Sequence, residues 1–279
     1  MTTATTSPPG SPESPVDAIR RRMDCTVLTR GRVVVVGLGG IGLFLTRALV
    51  LFFAGMLRAM RREQPDSEIT VVLCDGDHFD SAANSYRMDI PGIGNKALTL
   101  GQELLERFDC PGLNIRWITE YVTEENVRRV IGDGDCVFLA CDNHSTRHLV
   151  GRRCADEDMH DVVLISGGND GMEGELRGTC GNVQVFVRHQ GRDVTARLER
   201  FHPEIARPDD KSPAELSCME AAVSGAPQLV FTNLAVATAM CNALLRLMMP
   251  PDGEGPYDEV CLDVLNAVSL PHWLSQAAS

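Results

Sequence analysis

The chain has 279 residues, 44% of them hydrophobic and 23% charged, with a formal net charge of −12. That length is enough to bury a full core, and the acidic balance, with a pI of about 5.0, argues against nucleic acid as the main partner, because phosphate binding needs a basic surface. The most apolar window, residues 43–60, carries Arg47 and Arg58; it is short and charged for a bilayer span and reads as a buried helix, so no membrane partner is expected.

Residues 1–16 are rich in Thr, Ser and Pro and are expected to form a disordered tail without a signal-peptide pattern. Residues 17–279 are read as one domain. The stretch VDAIRRRMDCTVL suits a short helix leading inward. GRVVVVGL, residues 31–38, is the first strand, and residues 41–62 follow as one helix, apolar on most faces. SEITVVLCDGD is the second strand and ends in acids; NKALTLGQELLERF is a helix. NIRWITEYV is the third strand and TEENVRRVIG a short helix with Thr123 as its N-cap. DCVFLACDN is the fourth strand, STRHLVGRRCADE a helix capped near Ser145, and DVVLISGG the fifth strand. This alternation calls for a Rossmann-like, doubly wound and mainly parallel α/β sheet.

After Gly168 the glycine content rises and NVQVFV alternates, which predicts antiparallel strands added to the sheet. RPDDKSPAELSCMEAAVSG reads as a loop with a helix start, residues 226–248 as a long apolar helix, and EVCLDVLNAVSL as a last strand pair. The helix at 226–248 suits core or interface equally well.

The first strand runs into Gly37, Gly39, Gly40 and Gly42. Gly37, Gly39 and Gly42 satisfy G-x-G-x-x-G: a tight turn, close approach of backbone to phosphate, and helix packed on strand. The helix N-terminus adds free N–H groups and partial positive charge. Two ligands satisfy such a loop, a dinucleotide for hydride transfer or an ATP to be cleaved. Asp75, at the end of the second strand, suits a ribose in either case. DGDHFDSAANSYRMDIPGIGNK then brings Asp75, Asp77, Asn84, Arg87 and Lys96 in order, and CDNHSTR places Asp142 at the tip of the fourth strand. Ligands of a parallel sheet sit at the carboxyl ends of its strands. Carboxylate, arginine and lysine gathered there suit a triphosphate with magnesium; hydride transfer needs none of them.

The ordered set G-x-G-G-x-G, D-x-D, N-x-x-R, K and D-N-x-x-x-R resembles the ThiF/MoeB/HesA family, the prokaryotic branch of the ubiquitin-activating-enzyme superfamily. The resemblance covers residues 30–190 and continues loosely to 248. It implies a homodimeric adenylyltransferase using ATP and Mg2+ to activate a carboxylate, in the common family function the C-terminus of a small β-grasp (ubiquitin-like or sulfur-carrier) protein; the cytoplasmic setting is expected separately, from cysteines without C-x-x-C pairs and a start without a signal-peptide pattern. By residue, it implies that Gly37, Gly39, Gly40 and Gly42 cradle ATP, and that Asp75 binds the ribose, with Asp77 in the same motif. Asn84 and Arg87 then contact the phosphates and Lys96 the β- and γ-phosphates. Asp142 binds magnesium, and Asn143 and Arg147 shape the pocket. The Asp77–Asn84 spacing is one residue longer than the common form, and the Arg87–Lys96 spacing is shorter.

Family members often carry two C-x-x-C pairs for structural zinc; none exists among the ten cysteines here, so no zinc is expected. Cys218, in the segment where members often carry an acyl-accepting thiol, is the candidate nucleophile, with Cys180 as runner-up. His144 and His78 read as pocket-wall or exposed residues, and the run Arg20–Arg22 as a solvated face or an arm reaching a partner subunit's ATP. An NAD(P)-dependent oxidoreductase and a catalytically inactive nucleotide-binding scaffold remain alternatives.

Overall fold

A computed structural model describes residues 24, 26–29, 31–61, 64–79, 88–89, 92–172, 174–215, 227–252 and 254–273. The expected tail, Arg20–Arg22, Asn84, Arg87 and Cys218 lie outside them. The helix expected over residues 16–28 is described only at its end, as α1 (Thr26–Thr29).

Five strands are parallel: β1 (Val33–Val36), β2 (Ile69–Cys74), β5 (Leu113–Ile118), β6 (Cys136–Leu139) and β7 (Val162–Asn169), in the order β7-β6-β1-β2-β5. The antiparallel strands β8 (Cys180–His189), β10 (Glu259–Asp263) and β11 (Val268–His272) extend the sheet beyond β7. A short β9 (Arg192–Asp193) pairs with β8, completing nine strands among the described residues. The mainly parallel sheet with antiparallel strands at its C-terminal side is the architecture that the chain rhythm calls for. A separate two-stranded ribbon pairs β3 (His78–Phe79) with β4 (Gly94–Asn95); nothing in the pattern announces it.

The parallel strands read as runs of Val, Ile and Leu because both faces are covered. Their parity sorts the core. Val33, Val35, Val71, Leu73 and Ile165 face one layer, made of α2 (Gly40–Met60), α3 (Lys96–Arg107) and α6 (Val230–Met248). Val34, Val36, Val72, Val137 and Leu164 face the other, made of α4 (Val127–Val130), α5 (His144–Cys154) and the 3-10 turns Leu198–Arg200 and Pro203–Ala206. By length and composition α2 and α6 are both apolar enough to cross a membrane. Here they pack against each other and the sheet within one core cluster.

The boundaries correct several expectations. The cap of α5 does lie near Ser145: it is Asn143, its side-chain oxygen accepting the Thr146 N–H at 2.7 Å. Thr123 is not an N-cap. Its carbonyl accepts from Asn126 and Val127 in a turn, and α4 begins only at Val127. The third strand ends at Ile118 because the chain turns there toward the site. The helix expected from 226 starts at Val230, after an extended Leu229.

Candidate functional site

The glycine loop joins β1 to α2 at the carboxyl edge of the sheet, and three of its four glycines have their own steric reason. Gly37 adopts φ +87°, where a side chain is strained, and a Cβ there would lie 2.8 Å from the Ala140 carbonyl oxygen. Gly39, at the N-cap position, faces open space. A Cβ on Gly40 would fall on the side-chain amide of Asn233, and one on Gly42 on the Gly37 carbonyl oxygen. The first turn of α2 closes through Leu43 N–H to Gly39. Helix geometry leaves the preceding amides without an intrahelical acceptor.

At the tip of β2, Asp75 is buried and clasps the loop. One carboxylate oxygen accepts the Leu38 N–H at 2.6 Å and the other the Asp77 N–H at 2.9 Å. Burial pushes its carboxyl up, against the pull of Lys96 and of those two amides. Its carboxylate therefore already organises the loop, a role sequence reasoning did not assign. Lys96 opens α3 and is buried. Its Nζ lies 2.6 Å from Asp77, and its N–H reaches the Asp77 carbonyl at 2.8 Å. Burial raises the Asp77 carboxyl, but Lys96 and the His78 N–H outweigh it and hold the group below the usual range. Asn95 caps α3 by accepting from Leu98 N–H and donates to the Asp75 and Asp77 carbonyls. It too escaped sequence reasoning, although an Asn directly before a helix is the ordinary cap signal.

At the tip of β6, Asp142 is exposed. Beside it, Asn143 Nδ2 and His144 Nδ1 are buried with no hydrogen-bond partner among the described residues. Buried polar atoms are rarely left so. Arg147 is buried and turned away from the mouth; its guanidinium donates to the Cys141 and Gly167 carbonyls, bracing β6 against β7. The α5 N-terminus is covered by Asp210, which accepts from the His144 and Ser145 N–H groups at 2.6 and 2.9 Å and complements the helix dipole.

Tyr121 joins the two tips. Burial, then the charges of Asp77, Asp75 and Asp142, push its phenol up to about 12; all three carboxylates act on one ring. Gly76 makes room for it, since a Cβ there would lie 2.7 Å from the Tyr121 ring. On the far side the ring lines a cavity of about 610 Å³ with Glu120, Thr123, Asn126, Arg129, Pro213 and Ala214. A tyrosine in a strand pattern gives no signal of this position.

Of the expected residues, the structure brings together Gly37, Gly39, Gly40, Gly42, Asp75, Asp77, Lys96, Asp142 and Asn143. Among the described residues no group of three or more His, Cys, Asp or Glu side chains gathers to hold a metal. An exposed carboxylate beside a phosphate cradle still suits magnesium, which is usually held by one or two carboxylates together with phosphate oxygens and water. Cys180 is exposed at the start of β8, and His78 is exposed next to Asp77. Cys74, at the β2 tip, is buried and its thiol pushed up to about 12, chiefly by burial.

The sequence matches the model of the ThiF family over residues 16–260. No curated protein matches it. Among solved structures it is similar to E. coli MccB with AMPCPP and MccA (TM-score 0.58, 14% identity, covering 89% of this chain and 65% of MccB). It is also similar to E. coli MccB with ATP (TM-score 0.58, 13% identity, 89% and 65%) and to PaaA (TM-score 0.59, 13% identity, 98% and 78%). At these identities the likeness is one of fold. The chain spans about 65% of the length of MccB.

Proposed function

The chain belongs to the ThiF family, and from that premise we propose that it is an ATP-dependent adenylyltransferase acting on the carboxylate of a peptide or a small protein. The observation that carries the reading is the grouping at the carboxyl edge of the sheet: a glycine loop clasped by Asp75, a buried lysine paired with Asp77 beside it, and the exposed carboxylate of Asp142 at the β6 tip. Hydride transfer has no use for that cation.

In the proposed step a carboxylate oxygen attacks the α-phosphorus of ATP. The bond from that phosphorus to the bridging oxygen breaks, and pyrophosphate leaves with the electron pair. The products are an acyl-adenylate and pyrophosphate. Such chemistry needs alignment and charge neutralisation more than proton transfer. The α2 N-terminus and Lys96 would hold phosphate oxygens, and Asp142 would hold magnesium, which neutralises phosphate charge when bound. Lys96 reaches phosphate only by exchanging its Asp77 partner. The unpartnered Asn143 Nδ2 and His144 Nδ1 favour a polar ligand at the same mouth.

The substrate is a C-terminus reaching this mouth. The structure of E. coli MccB holding MccA beside AMPCPP supports a second macromolecule as the carboxylate donor, and we take a peptide to be as good a candidate as a β-grasp protein. Transfer of the acyl group to Cys218 belongs to the same proposal; Pro213 and Ala214, shortly before it in the chain, share the cavity wall with Tyr121. Exposed Leu51, Phe231, Leu234 and Leu245 on α2 and α6 support a homodimer. The free thiols of the eight described cysteines support a cytoplasmic setting.

ATP–pyrophosphate exchange with MgATP and a panel of peptides and β-grasp proteins bearing free C-termini tests the proposal. Exchange that depends on one class of C-terminus is expected. Tight NADH binding with no ATP binding would overturn the reading in favour of an oxidoreductase.

A further inference from the structure

Asn233 is fully buried on the first turn of α6, far in sequence from the glycine loop. Its side-chain oxygen accepts from Asn169 Nδ2 at 2.9 Å, at the end of β7. Its amide nitrogen occupies the place where a Cβ on Gly40 would stand. Next to it, Thr232 Oγ1 donates to the Gly178 carbonyl at 2.7 Å, and Met172 N–H donates to Pro227 at 2.7 Å. One turn later, Val236 and Met240 fill the space a Cβ on Gly167 would need. The start of α6 is thus packed against three backbones at once: the first turn of α2, the end of β7, and the chain at Met172 and Gly178.

We propose that Asn233 is a positioning residue for the nucleotide cradle. By occupying the Gly40 site and being held by Asn169, it fixes the first turn of α2 at the depth that keeps its free amides at the site mouth. This explains the extra glycine of G-x-G-G-x-G without recourse to the ligand. Gly39 faces open space, where a ligand approaches, whereas Gly40 faces inward and is required by Asn233. Polar groups with so many constraints are rare in an apolar helix packed on an apolar layer. A leucine here would serve the core better; an amide serves the loop, because it can hold backbone and side chain together.

The inference rests on the ATP reading, and its test separates the two. MgATP affinity is measured by titration calorimetry on the full chain, alongside the thermal midpoint. Asn233→Ala is expected to weaken MgATP binding at least about tenfold, and Asn169→Ala to weaken it in the same direction by less. Gly40→Ala should abolish measurable binding in the native background yet cost far less in the Asn233→Ala background, where the added methyl has room. That compensation assigns the Gly40 requirement to Asn233, and the loss of affinity in Asn233→Ala beyond any change in midpoint is the readout a merely structural asparagine would not give. If the wild-type chain binds no ATP, the functional reading falls and takes this inference with it. If it binds ATP and Asn233→Ala binds equally well, with only a lower midpoint, the inference alone is overturned. Should Asn233→Ala fail to fold, Asn233→Ser and Asn169→Ala carry the same comparison; unchanged affinity in both, or equal Gly40→Ala losses with and without Asn233→Ser, overturns it.

Discussion

The two halves of the sheet use buried polar groups in opposite ways. In the parallel half the acids stand at strand tips. Asp75 is consumed by the loop it clasps, while Asp142, at the β6 tip on the other side of β1, is exposed beside polar atoms that have no partner among the described residues. In the antiparallel half the polar groups sit on the strands themselves and bond to one another. His202 is held through both ring nitrogens, by Glu204 at 3.0 Å and Glu259 at 2.8 Å, and Glu259 also accepts from Asn182. The first arrangement leaves chemistry open at an edge; the second joins the 3-10 segment at 198–206 to the sheet. Function and stability should therefore separate by region.

The largest expected effect is at the open tip. Asp142→Ala should lower ATP–pyrophosphate exchange by roughly 10³-fold, the scale of losing a group that stabilises transition-state charge. It should change unfolding free energy by under about 0.5 kcal/mol, as for an ordinary exposed site. A large loss of stability would break the distinction between the tips.

Asp75→Ala should hit both quantities. It leaves two loop amides without their acceptor, so denaturant unfolding should show a loss of about 2–4 kcal/mol, from about 1–2 per orphaned donor, together with loss of ATP binding. Intact ATP binding in this variant would mean the loop holds itself without the clasp. Comparison with Asp142→Ala separates a carboxylate that builds the site from one that works in it.

These contrasts also mark what the sequence could reveal. The doubly wound half was legible because both-face burial writes unbroken Val, Ile and Leu runs, and because glycine spacing and acids at strand ends follow from where ligands sit. Asp75, Lys96 and Asp142 could be named for that reason. Their division of labour was not legible, since a carboxylate's partners depend on which backbone amides the turn points at it. Tyr121 and Asn233 were hidden for a related reason: one lies in a strand-like stretch and the other in an apolar helix, and only tertiary packing brings them to the loop. The misplaced cap at Thr123 shows the same limit on a smaller scale. Several Asx and Ser/Thr residues stood near each helix start; geometry made Asn143 the cap of α5, while Asn126, before α4, turns its side chain back to the Thr123 N–H.

In the antiparallel half the expectation reverses. His202→Ala should cost about 1–3 kcal/mol in denaturant unfolding, because buried Glu259 loses its ion-pair partner while keeping the Asn182 hydrogen bond. MgATP affinity should stay within about twofold, a change below roughly 0.5 kcal/mol. A tenfold affinity loss would tie this cluster to the site and erase the regional contrast.

The smallest effect is the pH dependence of that same cluster. The hydrogen bond to Glu259, and then Glu204, raise the His202 imidazole above the ordinary 6.5 despite its burial. Its contribution is therefore complete below 6.5 and fades as pH rises through the raised value. For Glu259 burial acts to raise the carboxyl, but His202 and Asn182 outweigh it and hold it below the ordinary 4.5. That contribution is present above 4.5 and fades as pH falls through the lowered value. The two windows overlap between pH 4.5 and 6.5, where the cluster stabilises most. Unfolding free energy measured from pH 5 to pH 9 should thus decline more for the wild type than for His202→Gln, which keeps a polar side chain but cannot take up the proton. The difference between the two curves isolates the imidazole from every other titrating group. Parallel curves would mean that His202 is held equally well neutral, as a plain hydrogen-bond donor, and that the antiparallel half is sealed by shape alone.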